Sequence, residues 1–131
     1  MKHLFTTKTI AILSCLLSAC GNGGTQTDGL YISAATTGNC NPMTEGSCAI
    51  NLVFNTNAVP NLSIAYSATP QTLPAFGINT STCIPQGIIG TQECTINVTY
   101  TPAACTPGNQ NETVIFSLST AQSNPIVLSC Q

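Results

Sequence analysis

Apolar and polar residues alternate with a period of two along most of this chain. In CTINVTY, Cys94, Ile96, Val98 and Tyr100 fall on one face and Thr95, Asn97 and Thr99 on the other, the repeat of a half-buried β-strand. CAINLVF repeats the pattern with Cys48, Ile50, Leu52 and Phe54. NLSIAY aligns Leu62, Ile64 and Tyr66, TVIFSLS aligns Val114, Phe116 and Leu118, and PIVLSC aligns Ile126, Leu128 and Cys130. LYIS, with Leu30 and Ile32, reads as a first strand. Between these runs lie turn signals: NTNAVPN, ATPQTLP, PQGIIG, PAACTPGNQN and QSNP. No helical stripe is visible beyond the first residues. Short alternating strands with turns at this spacing predict an all-β fold, a single antiparallel immunoglobulin-like β-sandwich of about seven strands.

The first residues break the alternation. MKHLFTTK carries Lys2, His3 and Lys8, TIAILSCLLSA is a mostly apolar run, and small residues follow. This is the layout of a secretory signal peptide, and the apolar part falls short of the roughly 20 residues a bilayer span needs. Its end, Leu17-Ser18-Ala19-Cys20-Gly21, resembles the lipobox of bacterial lipoproteins. The resemblance implies cleavage before Cys20 and acylation of that thiol by diacylglycerol and palmitate-type chains. Each buried methylene contributes about 0.8 kcal/mol, so two or three chains make the attachment effectively permanent. Cys15, inside the apolar run, reads as a small filler that leaves with the signal. The expected organisation is a signal peptide at 1–19, a lipidated tether at 20–29 (CGNGGTQTDG) and a sandwich domain at 30–131. Gly21 in place of Asp resembles the sorting pattern for the Gram-negative outer membrane.

Removing residues 1–19 changes the charge picture. The remaining chain has no Lys, Arg or His, and its formal charges are Asp28, Glu45, Glu93 and Glu112. Nucleic-acid binding requires basic side chains that displace counterions from phosphates, so that class is excluded. Electrostatic docking on anionic lipid is excluded on the same ground. A surface wetted by Asn, Gln, Thr and Ser carries little net repulsion and favours association.

Of eight cysteines, Cys15 is discarded and Cys20 acylated, which leaves Cys40, Cys48, Cys83, Cys94, Cys105 and Cys130. An even number in an exported chain reads as a disulfide framework. Six cysteines allow several connectivities; the pairing expected is Cys40 with Cys48, Cys83 with Cys94, and Cys105 with Cys130. The first two close short loops ahead of a strand, and the third fastens the last strand to the region around Pro102. The chain has no C-x-x-C pair, no histidine after the signal and no D-x-D-x-D loop, so no metal and no cofactor is expected.

The stretch FGINTSTCIPQGIIGTQECTINVTYTP, followed by TVIFSLSTAQSNPIVLSC, resembles bacterial immunoglobulin-type domains related to the abnormal-spindle/Hydin and choice-of-anchor families. In that pattern Cys83 and Cys94 flank a turn, Pro102 ends the following strand, and Ile126-Val127-Leu128-Ser129 closes the domain. LVFNTNAVPNLSIAY is similar to their opening strand, Asn-rich turn and strand, so the resemblance spans about Ala49 to Cys130. This chain departs from the pattern by adding Cys105 and Cys130 and by lengthening the turn at CTPGNQNE.

Catalysis near neutral pH calls for a titrating group or a metal, and this composition offers few candidates. Glu45, Glu93 and Glu112 are expected as solvated turn carboxylates, with a glycosidase-like pair as the rival arrangement. Tyr31, Tyr66 and Tyr100 could line a ligand surface, but Tyr66 and Tyr100 fall in phase with apolar neighbours and are expected in the core. The N-x-[ST] sequons at Asn61, Asn79, Asn97 and Asn111 read as chance in an Asn/Thr-rich chain. The expected function is a non-enzymatic, membrane-anchored envelope lipoprotein. It would be a structural or protein-binding module, an accessory subunit of an outer-membrane assembly, with other envelope proteins or itself as partner. The alternatives are a surface-displayed adhesin or ligand-binding module and a hydrolase using the Glu residues.

Overall fold

The computed structural model describes residues 29–69, 76–106 and 110–130, with the side chains of 44–47 outside that description. The signal-like segment, the lipobox with Cys20 and the tether up to residue 28 lie outside the described residues. The strands are β1 (Tyr31–Cys40), β2 (Met43–Asn55), β3 (Ile64–Thr69), β4 (Phe76–Gly77), β5 (Thr91–Tyr100), β6 (Asn111–Leu118), β7 (Ala121–Gln122) and β8 (Ile126–Ser129). One antiparallel sheet has the order β1-β2-β5-β4; in the other, β3 pairs with β6, which pairs with both β7 and β8. This is the order of the seven-strand immunoglobulin sandwich, with β7 and β8 sharing the place of the final strand.

The alternation read from the sequence produces the core directly. Ile32, Ile50, Leu52, Phe54 and Ile96 from the first sheet face Val114, Phe116, Leu118 and Leu128 from the second, all of them buried. Burial of such side chains is worth about 1.5–3 kcal/mol each. On β6 every second residue is buried, beginning at Glu112.

The opening hairpin is longer than LYIS and CAINLVF suggest. β1 runs to Cys40 and β2 starts at Met43, so Cys40 and Cys48 lie within paired strands and not in a loop ahead of one. The ladder is regular from Tyr31↔Asn55 to Gly38↔Cys48 and then shifts to Cys40↔Met43. Gly38 sits at φ 79 at that shift, a backbone region that costs glycine little. The Ser129 hydroxyl bonds to Asn41 Oδ1, and Met43 bridges Cys130, tying the hairpin tip to the end of β8.

The final strand is split at Ser123-Asn124-Pro125. Ser123 N–H donates to the Phe116 carbonyl at 2.8 Å, and Ser123 Oγ accepts the Phe116 N–H at 2.9 Å. One residue thereby stands in for a strand neighbour, and Pro125, which has no N–H, restarts the chain as β8.

Three disulfides brace the sandwich: Cys40–Cys48, Cys83–Cys94 and Cys105–Cys130, with sequence separations of 8, 11 and 25. Cys40, Cys48, Cys83 and Cys130 are buried, and Cys94 and Cys105 pack against the same core.

Candidate functional site

The three glutamates lie on strands and not in turns. Glu45 is on β2, with its side chain outside the described residues. Glu93 is on β5, opposite Val53 and exposed on the outward face of the first sheet. Glu112 is on β6, opposite Leu128, and only 5% exposed. This corrects the expectation of a solvated carboxylate at Glu112: the alternation that buries Val114 and Phe116 extends two residues further back and carries Glu112 inward. Desolvation pushes its carboxyl above the ordinary value of 4.5. Glu93 and Glu112 therefore belong to different sheets and opposite sides of them, so they do not form the facing pair that glycoside hydrolysis uses.

The tyrosines divide. Tyr100 is half-buried and stacked on Phe76, with ring centroids 6.0 Å apart. Tyr66 lies opposite Phe116 with centroids 6.2 Å apart, yet is 41% exposed, which corrects its placement in the core. The reason is topological. β3 is an edge strand, and among the described residues the first sheet offers on that side the two residues of β4 and a 3-10 turn at Thr80–Thr82.

The outward face of the first sheet holds a shallow depression of about 350 Å³. Ser33, Asn51, Val53, Glu93 and Thr95 line it, and Thr95 Oγ1 donates to Asn51 Oδ1 at 2.9 Å. Hydroxyls, one amide and one carboxylate can bind by hydrogen bonds, but they supply no acid and base together. Among the described residues no group of three or more His, Cys, Asp or Glu is placed to hold a metal ion.

The most conspicuous surface feature lies in PQGIIG, which the sequence pattern marks as an ordinary turn. Within the Cys83–Cys94 loop, Ile84, Ile88 and Ile89 are 68%, 57% and 82% exposed. The loop is held firmly from beneath. Thr56, fully buried, places its hydroxyl 2.9 Å from the Gln86 carbonyl and 3.0 Å from that of Ile88. Gln92 Oε1 accepts the Gln86 N–H at 2.7 Å, and Gln92 Nε2 donates to the Gln86 carbonyl at 2.8 Å. A Cβ on Gly87 would lie 2.9 Å from Pro60 Cα, so the backbone can approach the 56–60 turn only with glycine there. The available signal was an Ile-Ile pair bounded by Gly87 and Gly90, where a turn is ordinarily polar.

Comparisons with protein-family models, with characterised proteins and with solved structures returned no match to this chain.

Proposed function

We propose that the protein is a non-enzymatic envelope lipoprotein, anchored through Cys20, whose sandwich serves as a structural or protein-binding module of an outer-membrane assembly. The observation that carries this reading is the state of the cysteines. All six that follow Cys20 are joined in disulfides, the chemistry of an oxidising compartment reached by export, which leaves Cys20 apart at the end of the apolar run. The absence of Lys, Arg and His after Lys8 argues against acid-base catalysis and against nucleic acid as a partner.

Binding to another envelope protein has support at the edge of the first sheet. β1 is an edge strand, and Ala35 to Asn39 are all exposed in its second half. An exposed strand edge invites pairing with another chain, and no Lys is present to oppose it. The test is capture of the native protein from solubilised membranes, with Cys20→Ser as control, together with the mass of the N-terminal fragment. Acylated Cys20 and co-purifying envelope proteins are expected. An unmodified N-terminus, or recovery of a lone monomer, refutes the reading.

A further inference from the structure

The isoleucine loop stands at the end of the sandwich where the N-terminal segment joins the fold. A Cβ built on Gly29 would meet Asn57 Nδ2 at 2.8 Å, which puts Gly29 against the 56–60 turn. That turn in turn carries the loop, through the bonds from Thr56 to the Gln86 and Ile88 carbonyls and the contact of Gly87 with Pro60. Asn55 is paired with both Tyr31 and Thr91, so β1 starts at this end and leaves it. Val59, on the same turn, is also exposed.

We propose that Ile88 and Ile89, flanked by Val59 and Ile84, form a membrane-docking loop that seats the domain on the bilayer to which Cys20 is fastened. The inference rests on the anchored-lipoprotein reading, because the anchor selects the occupant. The nine residues from Gly21 to Gly29 reach about 30 Å at full extension, so the anchor confines the end that carries Gly29 to within that distance of the lipid surface. An apolar tip held there meets lipid at high effective concentration.

Two properties of the loop suit a medium of low polarity. No charged residue lies between Glu45 and Glu93, so this part of the chain brings no ion to desolvate. Four backbone groups next to the tip are also paired within the fold: the Gln86 N–H and the Gln86 and Ile88 carbonyls bond to Gln92 and Thr56, and the Ile88 N–H donates to the Gln86 carbonyl at 2.8 Å. The Ile88 and Ile89 side chains can enter the interface while these four groups keep their partners and add no cost of desolvation. Docking here is apolar alone, without the basic face of a typical surface-binding segment.

The chain contains no tryptophan, so a single substitution makes a clean reporter. Full-length Ile89→Trp is expressed in cells that acylate lipoproteins, purified, and reconstituted into vesicles of phosphatidylethanolamine and phosphatidylglycerol with brominated acyl chains. Val127→Trp, on the outward face of β8, is the reference. Acylation of Cys20 is read separately by mass. The expected result is blue-shifted emission for Ile89→Trp, quenched about twofold or more by brominated lipid, with Val127→Trp unquenched. An acylated protein whose Ile89→Trp emission is not quenched overturns the docking loop and leaves the anchor standing. A blue shift without quenching means that protein, a partner or a second copy, covers the loop, and it overturns the proposal equally. An unmodified Cys20 overturns the anchor, and the docking argued from it falls too.

Discussion

The side-chain amide of Asn124 bonds to both backbone groups of Ala34. The Ala34 N–H donates to Asn124 Oδ1 at 3.0 Å, and Asn124 Nδ2 donates to the Ala34 carbonyl at 2.9 Å. Ala34 is on the edge strand of one sheet, and Asn124 is in the break between β7 and β8 of the other. The amide thus acts as one residue of a neighbouring strand and latches the two sheets together along one edge. Past this point the edge of β1 is exposed.

Replacing Asn124 with Ala removes both bonds and leaves two groups of a buried residue without their partner. A loss of about 1–3 kcal/mol is expected in urea unfolding, with faster amide exchange at Ala34. Asn124→Asp keeps an acceptor for the N–H but sets a carboxylate against the Ala34 carbonyl, so it should fall below wild type and recover in acid. Unchanged exchange at Ala34 in Asn124→Ala would show that the latch contributes nothing.

Thr56→Val tests the support under the isoleucine loop. The substitution keeps the shape and deletes the hydroxyl shared by the Gln86 and Ile88 carbonyls. A cost of about 1–3 kcal/mol is expected, with proteolysis newly directed to the 84–90 segment. Gly87→Ala should loosen the same segment by pressing on Pro60, while the β-sheet signal in circular dichroism stays intact.

Glu112 makes stability depend on pH in an unusual sense for a carboxylate. Its value in the fold is raised above the ordinary 4.5, so the folded state binds the proton more tightly than the unfolded chain does. Its contribution is full below 4.5 and is lost as pH rises through the higher folded value. Glu112→Gln is expected to be more stable than wild type at neutral pH and to lose this part of the pH dependence. Denaturant midpoints for the two proteins at a series of pH values read the difference directly, and parallel curves would refute it.

Removing the disulfides pairwise to serine should cost more as the closed loop lengthens. With separations of 8, 11 and 25, the chain-entropy relation gives about 2.5, 3 and 3.5 kcal/mol for Cys40–Cys48, Cys83–Cys94 and Cys105–Cys130. Thermal unfolding of the three double variants measures the order. Peptide mapping without reductant should find the three cross-links and no free thiol among these six cysteines.

Single replacement of Glu93 or Glu112 bears on the hydrolase alternative. With one carboxylate facing outward on the first sheet and the other inward on the second, neither variant is expected to alter any glycosidase activity of the purified protein above background. Loss of such an activity in either would contradict the placement of both side chains.

The sequence by itself determined the class of fold and most of its core. Period-two alternation is a local property: once a strand forms, Ile50, Leu52 and Phe54 must share a face, and so must Val114, Phe116 and Leu118. Carried two residues further, the same rule would have put Glu112 inside. Tertiary structure alone decided which strand lies at an edge, and therefore that Tyr66 is exposed although it is in phase with Ile64. It also decided that QSNP splits a strand and latches a sheet, because Asn124 meets Ala34 across 90 residues of chain. The fate of PQGIIG followed the same logic. Whether two isoleucines are hidden or displayed depends on what packs beneath them: Gln92 lies close by in sequence, but Thr56 is brought there only by the pairing of β2 with β5.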